Sequence, residues 1–401
     1  MKKILTILFL CFLVASCAGP EKENYLIVLS MDGFRWDYPN MTDTPYLDSI
    51  AKIGVKAEAI LSAFPSKTFP NHYTMATGLY PDNHGIVNNN FYDPATGTTY
   101  SMRDSATRHD PYYYGGEPIW ITAEKQNMKT ATYFWVGSEH PTDGIHPSIW
   151  KYYEHNFPFE QRIDSVIAWL QLPKAERPRL IMWYMHEPDA TGHRHGPEGE
   201  STMRNVTYLD SLVGVFCHKI NQLKHADRIN LIFTSDHGMG AISPERVVTL
   251  TNHVPADWAE VALGGNPVYN IKAREGYVDS IYLILKQVDN ISVWKHGEVP
   301  AELNYGNNPR TLDLIVVADS AWSINWTPRP AYYSSGGTHG YDFRQLDMQA
   351  IFYATGPAFR KNHQHPKFNN VDLYPLMAHI LGLVPKEVDG KLEHTKGMLR
   401  K

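Results

Sequence analysis

The chain has 401 residues, 43% hydrophobic and 20% charged, which supports a large folded core and excludes a disordered or fibrous protein. Its formal net charge of −5 leaves no general basic surface, so no stable complex with a nucleic-acid polymer is expected, and no partner protein is implied. With only three cysteines, one of them in the N-terminal apolar run, no disulfide framework is possible.

The first residues read as a targeting segment. Lys2 and Lys3 precede the apolar run Ile4 to Val14, which is too short to span a bilayer comfortably. In Val14-Ala15-Ser16-Cys17, small residues precede a cysteine, as at a bacterial lipoprotein cleavage site. The expectation is a signal segment over 1–17, lipidation at Cys17 and a tether over 18–24. Such a protein is exported and held to a bacterial membrane, in the periplasm or at the cell surface, by its lipid alone.

Residues 25–31 form an apolar run ending at Asp32, and residues 45–53 follow with an amphipathic helical pattern. Next comes Ala63-Phe64-Pro65-Ser66-Lys67-Thr68-Phe69-Pro70-Asn71-His72-Tyr73. Prolines bracket Thr68 here, before a segment of helical pattern. Its hydroxyl either caps that helix or sits at a helix N-terminus where backbone N–H groups favour an anion. The loop His84-Gly85-Ile86-Val87-Asn88-Asn89-Asn90 is rich in amides that suit turns. Helical patterns cover 119–126 and 159–170, and between them lies Ile145 to Lys151, which contains Trp150.

A second apolar strand, 179–185, contains Tyr184 and runs into Glu187-Pro188-Asp189-Ala190-Thr191-Gly192-His193. Gly192 argues for a loop around an ion rather than a regular helix, with Asp189 and His193 as donors. The helical stretch 203–223 holds Cys217, which reads as a packed thiol. A third apolar strand, 230–234, leads to Asp236-His237. Residues 251–330 break the alternating rhythm and read as an α+β insertion. The tract Ser334-Ser335-Gly336-Gly337-Thr338-His339-Gly340 then returns the chain as a flexible loop, and a final helix covers 373–382.

Strands alternating with helices predict an α/β fold with a mostly parallel central sheet flanked by helices. The catalytic domain is expected over 25–250 and 331–401, with 251–330 as the inserted subdomain. Acidic residues end three of the strands, and functional groups gather beyond the carboxyl ends of parallel strands. Buried carboxylates without partners are costly, so these acids need a metal or a base. Three Asp and three His without thiolate suit zinc in a catalytic role.

In order, the motifs are Asp32, Pro-Ser-Lys-Thr68-Phe-Pro-Asn-His, His-Gly-Ile-Val-Asn-Asn89, Glu-Pro-Asp189-x-x-Gly-His193, Ser-Asp236-His237-Gly-Met and His339-Gly-Tyr-Asp. This series strongly resembles the nucleotide pyrophosphatase/phosphodiesterase family of the alkaline phosphatase superfamily. The resemblance implies an alkaline-phosphatase-like fold and two Zn²⁺ per chain. One would be held by Asp189, His193 and His339, the other by Asp32, Asp236 and His237, with Thr68 between them as nucleophile. A phospho-threonine intermediate would form and be hydrolysed, and Asn89 would donate to a phosphate oxygen. His72, His84 and His195 are read as supporting or structural residues. His186 stands where the family usually has Glu.

The expected activity is that of a phosphoric diester hydrolase or nucleotide diphosphatase releasing nucleoside 5′-monophosphates. Asn89 is a neutral phosphate donor, which suits a diester better than a dianionic monoester, although Lys67 lies beside the nucleophile. Phe69 and Trp150 are expected to stack on a nucleobase, with Tyr184 as a further pocket aromatic. The same rings would also suit a cationic head group, so phospholipid-derived phosphocholine or glycerophospho esters remain the alternative, and phosphomonoesters a second one.

Overall fold

A computed structural model describes residues 23–400; the expected signal segment and Cys17 lie outside the described residues. The centre is an eight-stranded sheet. From one edge its strands are His363–His365, Val55–Ala57, Phe352–Thr355, Ile229–Thr234, Tyr25–Met31, Leu180–Met185, Thr130–Tyr133 and Ile149–Lys151. Phe352–Thr355 pairs antiparallel with both neighbours, and the other pairings are parallel. The mostly parallel expectation therefore holds, with one strand reversed.

Side-chain alternation explains why the central strands are apolar throughout. Leu26 and Val28 point into a core with Leu180, Met182, Trp120 and Leu376. Tyr25, Ile27, Leu29 and Met31 point the other way, against Trp183, Leu209, Val213 and Phe216. A strand covered on both faces has no polar side to display. The helices Pro45–Ile53 and Phe159–Leu170 fall where the pattern predicts, while the long helix runs Glu200–Asn221. Half-buried Cys217 lies on that helix beside the core, and burial pushes its thiol up to about 12, so it is no nucleophile.

Within residues 251–330 a separate antiparallel sheet runs in the order Ala259–Gly265, Val268–Ala273, Leu314–Ala318, Ile291–Lys295, with the helix Val278–Leu285. Val268, Ile315 and Val317 pack against Phe64, Phe91 and Tyr100, which couples this sheet to the wall of the cleft described below. Among the described residues no helix is long and apolar enough to cross a membrane.

Candidate active site

The strand ends meet as their registry requires. Leu29 lies beside Trp183 and Phe233 in the parallel ladders, so Asp32, Asp189 and Asp236 follow on the same edge of the sheet. Two groups of donors converge there, Asp189 with His193 and His339, and Asp32 with Asp236 and His237. The rings of His237 and His339 stack at 3.6 Å and join the two groups.

Two sequence expectations need correction. Asp189 and His193 do not lie on an ion-wrapping loop, because Asp189–His195 is helical and the i, i+4 spacing turns both donors to one side. Gly192 is small for packing: it is buried against Met239, and a Cβ on Gly337 would lie 2.8 Å from the Gly192 carbonyl oxygen. His339 is not on a free loop either. Gly336–Thr338 pairs antiparallel with Gly240–Ile242, and a Cβ on Gly336 would come within 2.1 Å of the His193 carbonyl oxygen. The paired glycines let this strand press onto the helix and deliver His339 beside Asp189.

The donor atoms are arranged for cations. Asp32 Oδ1, Asp189 Oδ1 and Asp236 Oδ2 are buried without a hydrogen-bonded donor. His193 Nδ1 donates to the Gly337 carbonyl, His237 Nδ1 to that of Gly238 and His339 Nδ1 to that of Ser66, each at 2.8 Å. In a neutral ring this fixes the lone pair on Nε2, facing the carboxylates. Nε2 of His193 and of His339 lie 3.4 and 3.5 Å from Asp189 Oδ1. His237 Nε2 lies 3.4 Å from Asp32 Oδ1 and 3.0 Å from Asp236 Oδ2. Donors about 2.0–2.1 Å from one tetrahedral centre are about 3.3 Å apart, so both groups fit a small divalent metal.

Electrostatics agree. Burial, with Asp236 and Asp189 nearby, pushes the Asp32 carboxyl well above its usual range. Burial works to lower the His237 imidazole, but Asp236 outweighs it and raises the ring's pKa. Without a cation the site must hold a proton among crowded acids.

Thr68 opens the helix Thr68–Thr77, and Lys67 is its N-cap residue, so the Thr68 hydroxyl is not used as a cap. Its Oγ1 lies 3.3 Å from His237 Nε2. Asn89 Oδ1 accepts from the Phe69 N–H at 2.9 Å, which leaves the amide Nδ2 as a donor. Lys67 points elsewhere: its Nζ donates to the Asn266 carbonyl at 2.6 Å, and burial brings its pKa down to about 7. His72 supports the site from behind, 3.3 Å from Asp236 Oδ2 and hydrogen-bonded to Ser30 Oγ at 2.8 Å. His84 is buried between Thr74 and Ile86, whereas His195 is exposed at the helix end.

Thr68, Asp32 and Asp189 open onto a cleft of about 450 Å³. Phe69 and Tyr184 line it, and Tyr184 also donates from its hydroxyl to Asp32 Oδ2 at 2.5 Å. Trp150 is not among the lining residues. It sits in the edge strand Ile149–Lys151, stacked on His146 at 4.6 Å. After that strand the chain turns inward and Tyr153 becomes the aromatic wall. Residue spacing alone does not reveal where the strand stops. Arg103, Arg108, Glu139 and His155 also line the cleft with no motif to announce them, and His186 stacks on His155 at 4.0 Å.

Comparison with known proteins gives a consistent picture. Residues 26–342 match the family model for type I phosphodiesterase / nucleotide pyrophosphatase. The venom phosphodiesterase CdcPDE of Crotalus durissus collilineatus is 36% identical over 387 residues, which covers 93% of this chain and 46% of that protein. The chain thus spans about half the length of the venom phosphodiesterases it matches. Bis(5′-adenosyl)-triphosphatase enpp4 of Xenopus laevis is 35% identical over 395 residues, covering 97% of this chain and 85% of that protein. A solved structure of murine ectonucleotide pyrophosphatase / phosphodiesterase 5, inactive and in complex with AMP, matches with a TM-score of 0.90 at 32% identity. That match covers 94% of this chain and 100% of the murine one.

Proposed function

The chain belongs to the type I phosphodiesterase / nucleotide pyrophosphatase family, and on that premise we propose that it is a two-zinc hydrolase of nucleotide phosphodiester or phosphoanhydride bonds. Thr68 is its nucleophile and nucleoside 5′-monophosphates are its products. One observation carries this reading: an uncapped threonine hydroxyl at a helix N-terminus lies 3.3 Å from one of two neighbouring Asp/His donor groups.

Asp189, His193 and His339 would hold one ion, and Asp32, Asp236 and His237 the other. When bound, such ions supply Lewis-acid polarisation and neutralise charge at the reacting phosphate. Thr68 Oγ1 gives up its proton and attacks phosphorus in line as the bond to the leaving oxygen breaks, forming a covalent threonine ester while the leaving group departs with a proton. Water then attacks phosphorus, the bond from Thr68 Oγ1 to phosphorus breaks, and a proton from that water restores the Thr68 hydroxyl. Asn89 Nδ2 donates to a non-bridging oxygen in both steps. Replacing Asn89 with alanine should therefore cost about 10²–10³-fold in kcat, as loss of one preorganised donor does. Steady-state kinetics check this.

Phe69 and Tyr153 supply aromatic walls for a base, and the murine neighbour is described in complex with AMP. Stacking of a base on an aromatic ring is worth ~1–3 kcal/mol, so Tyr153→Ala should raise KM for a nucleotide ester by about 5–150-fold. Trp150→Ala should leave KM within about twofold, since this half-buried ring packs on His146 and Tyr152 outside the cleft. A panel of nitrophenyl esters of thymidine 5′-phosphate, phosphate and phosphocholine tests the substrate class. The nucleotide ester should be turned over fastest; preference for the choline ester or the monoester would sink the nucleotide assignment.

A further inference from the structure

Arg162 is fully buried, and among the described residues no carboxylate pairs with it. Its guanidinium hydrogen-bonds to backbone carbonyls instead. Nε and Nη2 donate to Phe157 at 3.1 and 2.9 Å, and Nη1 donates to Tyr184 at 2.9 Å. Nη2 also reaches His155 and Glu154, at 3.3 and 3.5 Å. The rings of Phe134 and Phe159 lie 4.9 and 4.8 Å from the guanidinium carbon. Two penalties oppose a cation in this place. Burying a charge without a counter-ion is costly, and an apolar side chain of similar volume would burden the fold less. Burial lowers the pKa of Arg162, although a guanidinium stays charged at any physiological pH. Arg162 also sits in the first turn of the helix Phe159–Leu170, where the helix dipole favours acids and opposes a cation. Packing alone gives no reason for a cation here.

The reason lies in what it holds. Residues 152–158 connect the edge strand Ile149–Lys151 to that helix and form neither helix nor strand themselves. Within them, Tyr153 is the aromatic wall of the cleft and His155 lines it too. This stretch is fastened from two sides. Glu139 accepts from the Tyr153 N–H, and Arg162 donates to the carbonyls of Glu154, His155 and Phe157. Through the Tyr184 carbonyl the same guanidinium ties the stretch to the strand Leu180–Met185, which its parallel ladder with Tyr25–Met31 holds in register. A planar fork of five N–H groups makes all these bonds from one side chain, which the three donors of an ammonium do not match.

We infer that Arg162 is a positioning residue for substrate: it fixes residues 152–158 so that the Tyr153 ring stands in place before a base enters the cleft. The inference rests on the nucleotide reading, because Tyr153 can act as a stacking wall only for a substrate that carries a base. A wall ordered in advance spares the substrate the entropy of ordering it on binding. Loss of Arg162 therefore falls on KM. The chemistry is insulated from it, because Tyr184 keeps its place through the sheet, whereas residues 152–158 have no ladder to fall back on.

The test compares Arg162→Met, Arg162→Lys and Tyr153→Ala on the nitrophenyl ester of thymidine 5′-phosphate and on bis(nitrophenyl) phosphate, which carries no base. Arg162→Met should lower the ratio of kcat/KM for the thymidine ester to that for the base-free ester by at least about fivefold, the lower end of what a lost stacking ring costs, and should do so through KM. Arg162→Lys keeps the charge but not the fork, and should show the same split to a smaller degree; it carries the comparison if the Met variant does not fold. Adding Tyr153→Ala to either variant should raise KM no further than Tyr153→Ala does alone, because the two residues act as one unit. Amide hydrogen exchange in Arg162→Lys should quicken at 153–157 and not in the strand Leu180–Met185. Equal losses on both esters, or KM effects that add in the double variant, would make Arg162 a support of the fold only and overturn the inference. So would a Lys variant with unchanged KM and unchanged exchange at 153–157 while Tyr153→Ala raises KM. An unchanged KM in Tyr153→Ala itself would overturn it by a different route, by removing the base-stacking reading beneath it.

Discussion

Replacing Thr68 with alanine should lower kcat by roughly 10⁴–10⁶-fold, the scale on which removal of a covalent nucleophile acts in other hydrolases. The fold should be unaffected. The Thr68 hydroxyl has one hydrogen-bonding neighbour, His237 Nε2 at 3.3 Å, and caps nothing, so its loss costs about 1 kcal/mol or less. Thr68→Ser keeps a hydroxyl at the same place and should retain measurable turnover. Thermal melts and kinetics on both variants separate chemistry from folding: an alanine variant that melts normally yet keeps wild-type kcat would remove Thr68 from the mechanism.

Removal of divalent metal should have the second large effect, on stability as well as activity. A ligand bound only by the folded state at ~1,000 times its Kd contributes about 4 kcal/mol. Chelation should therefore lower the melting temperature by several degrees, and zinc should restore it. The pH dependence follows from the site's own groups. In the metal-free protein His237 has a pKa raised above 6.5 by Asp236, so its contribution is complete below pH 6.5 and is lost as pH rises through the raised value. Asp32, also raised, acts in the same direction, because burial, with Asp236 and Asp189 nearby, disfavours its carboxylate form. His339 is lowered and acts oppositely, but its effect is spent below pH 6.5. The gap in melting temperature between zinc-loaded and chelated protein should widen as pH rises above 6.5. Calorimetry across that range checks it, and a gap that narrows would contradict the assigned donors.

The three strands that carry the acids were legible because each is buried on both faces and reads as an unbroken apolar run. Thr130–Tyr133 was not, because its fully buried Thr-Ala-Thr-Tyr lacks that composition. Phe352–Thr355 is likewise too short to stand out, and it runs antiparallel to both of its neighbours. The donor residues were visible by type and position, but the local structure around them was misread in both places where glycine serves close packing. Gly192 and Gly336-Gly337 look like chain breakers in a sequence, whereas here they let a helix and a strand touch. Trp150 lies outside the cleft lining for another reason. Aromatic spacing gave no information on which residue of 149–153 turns inward, and Tyr153 does so only because the edge strand ends at Lys151.

The central claim is a covalent ester on Thr68 formed and broken at one site. Its most direct test is the stereochemical course at phosphorus, read with a chiral phosphorothioate nucleotide ester hydrolysed in ¹⁸O-water. Each in-line displacement inverts configuration, so attack by Thr68 followed by attack by water gives net retention. Net inversion would mean that water attacks the substrate directly and that Thr68 never carries the phosphoryl group.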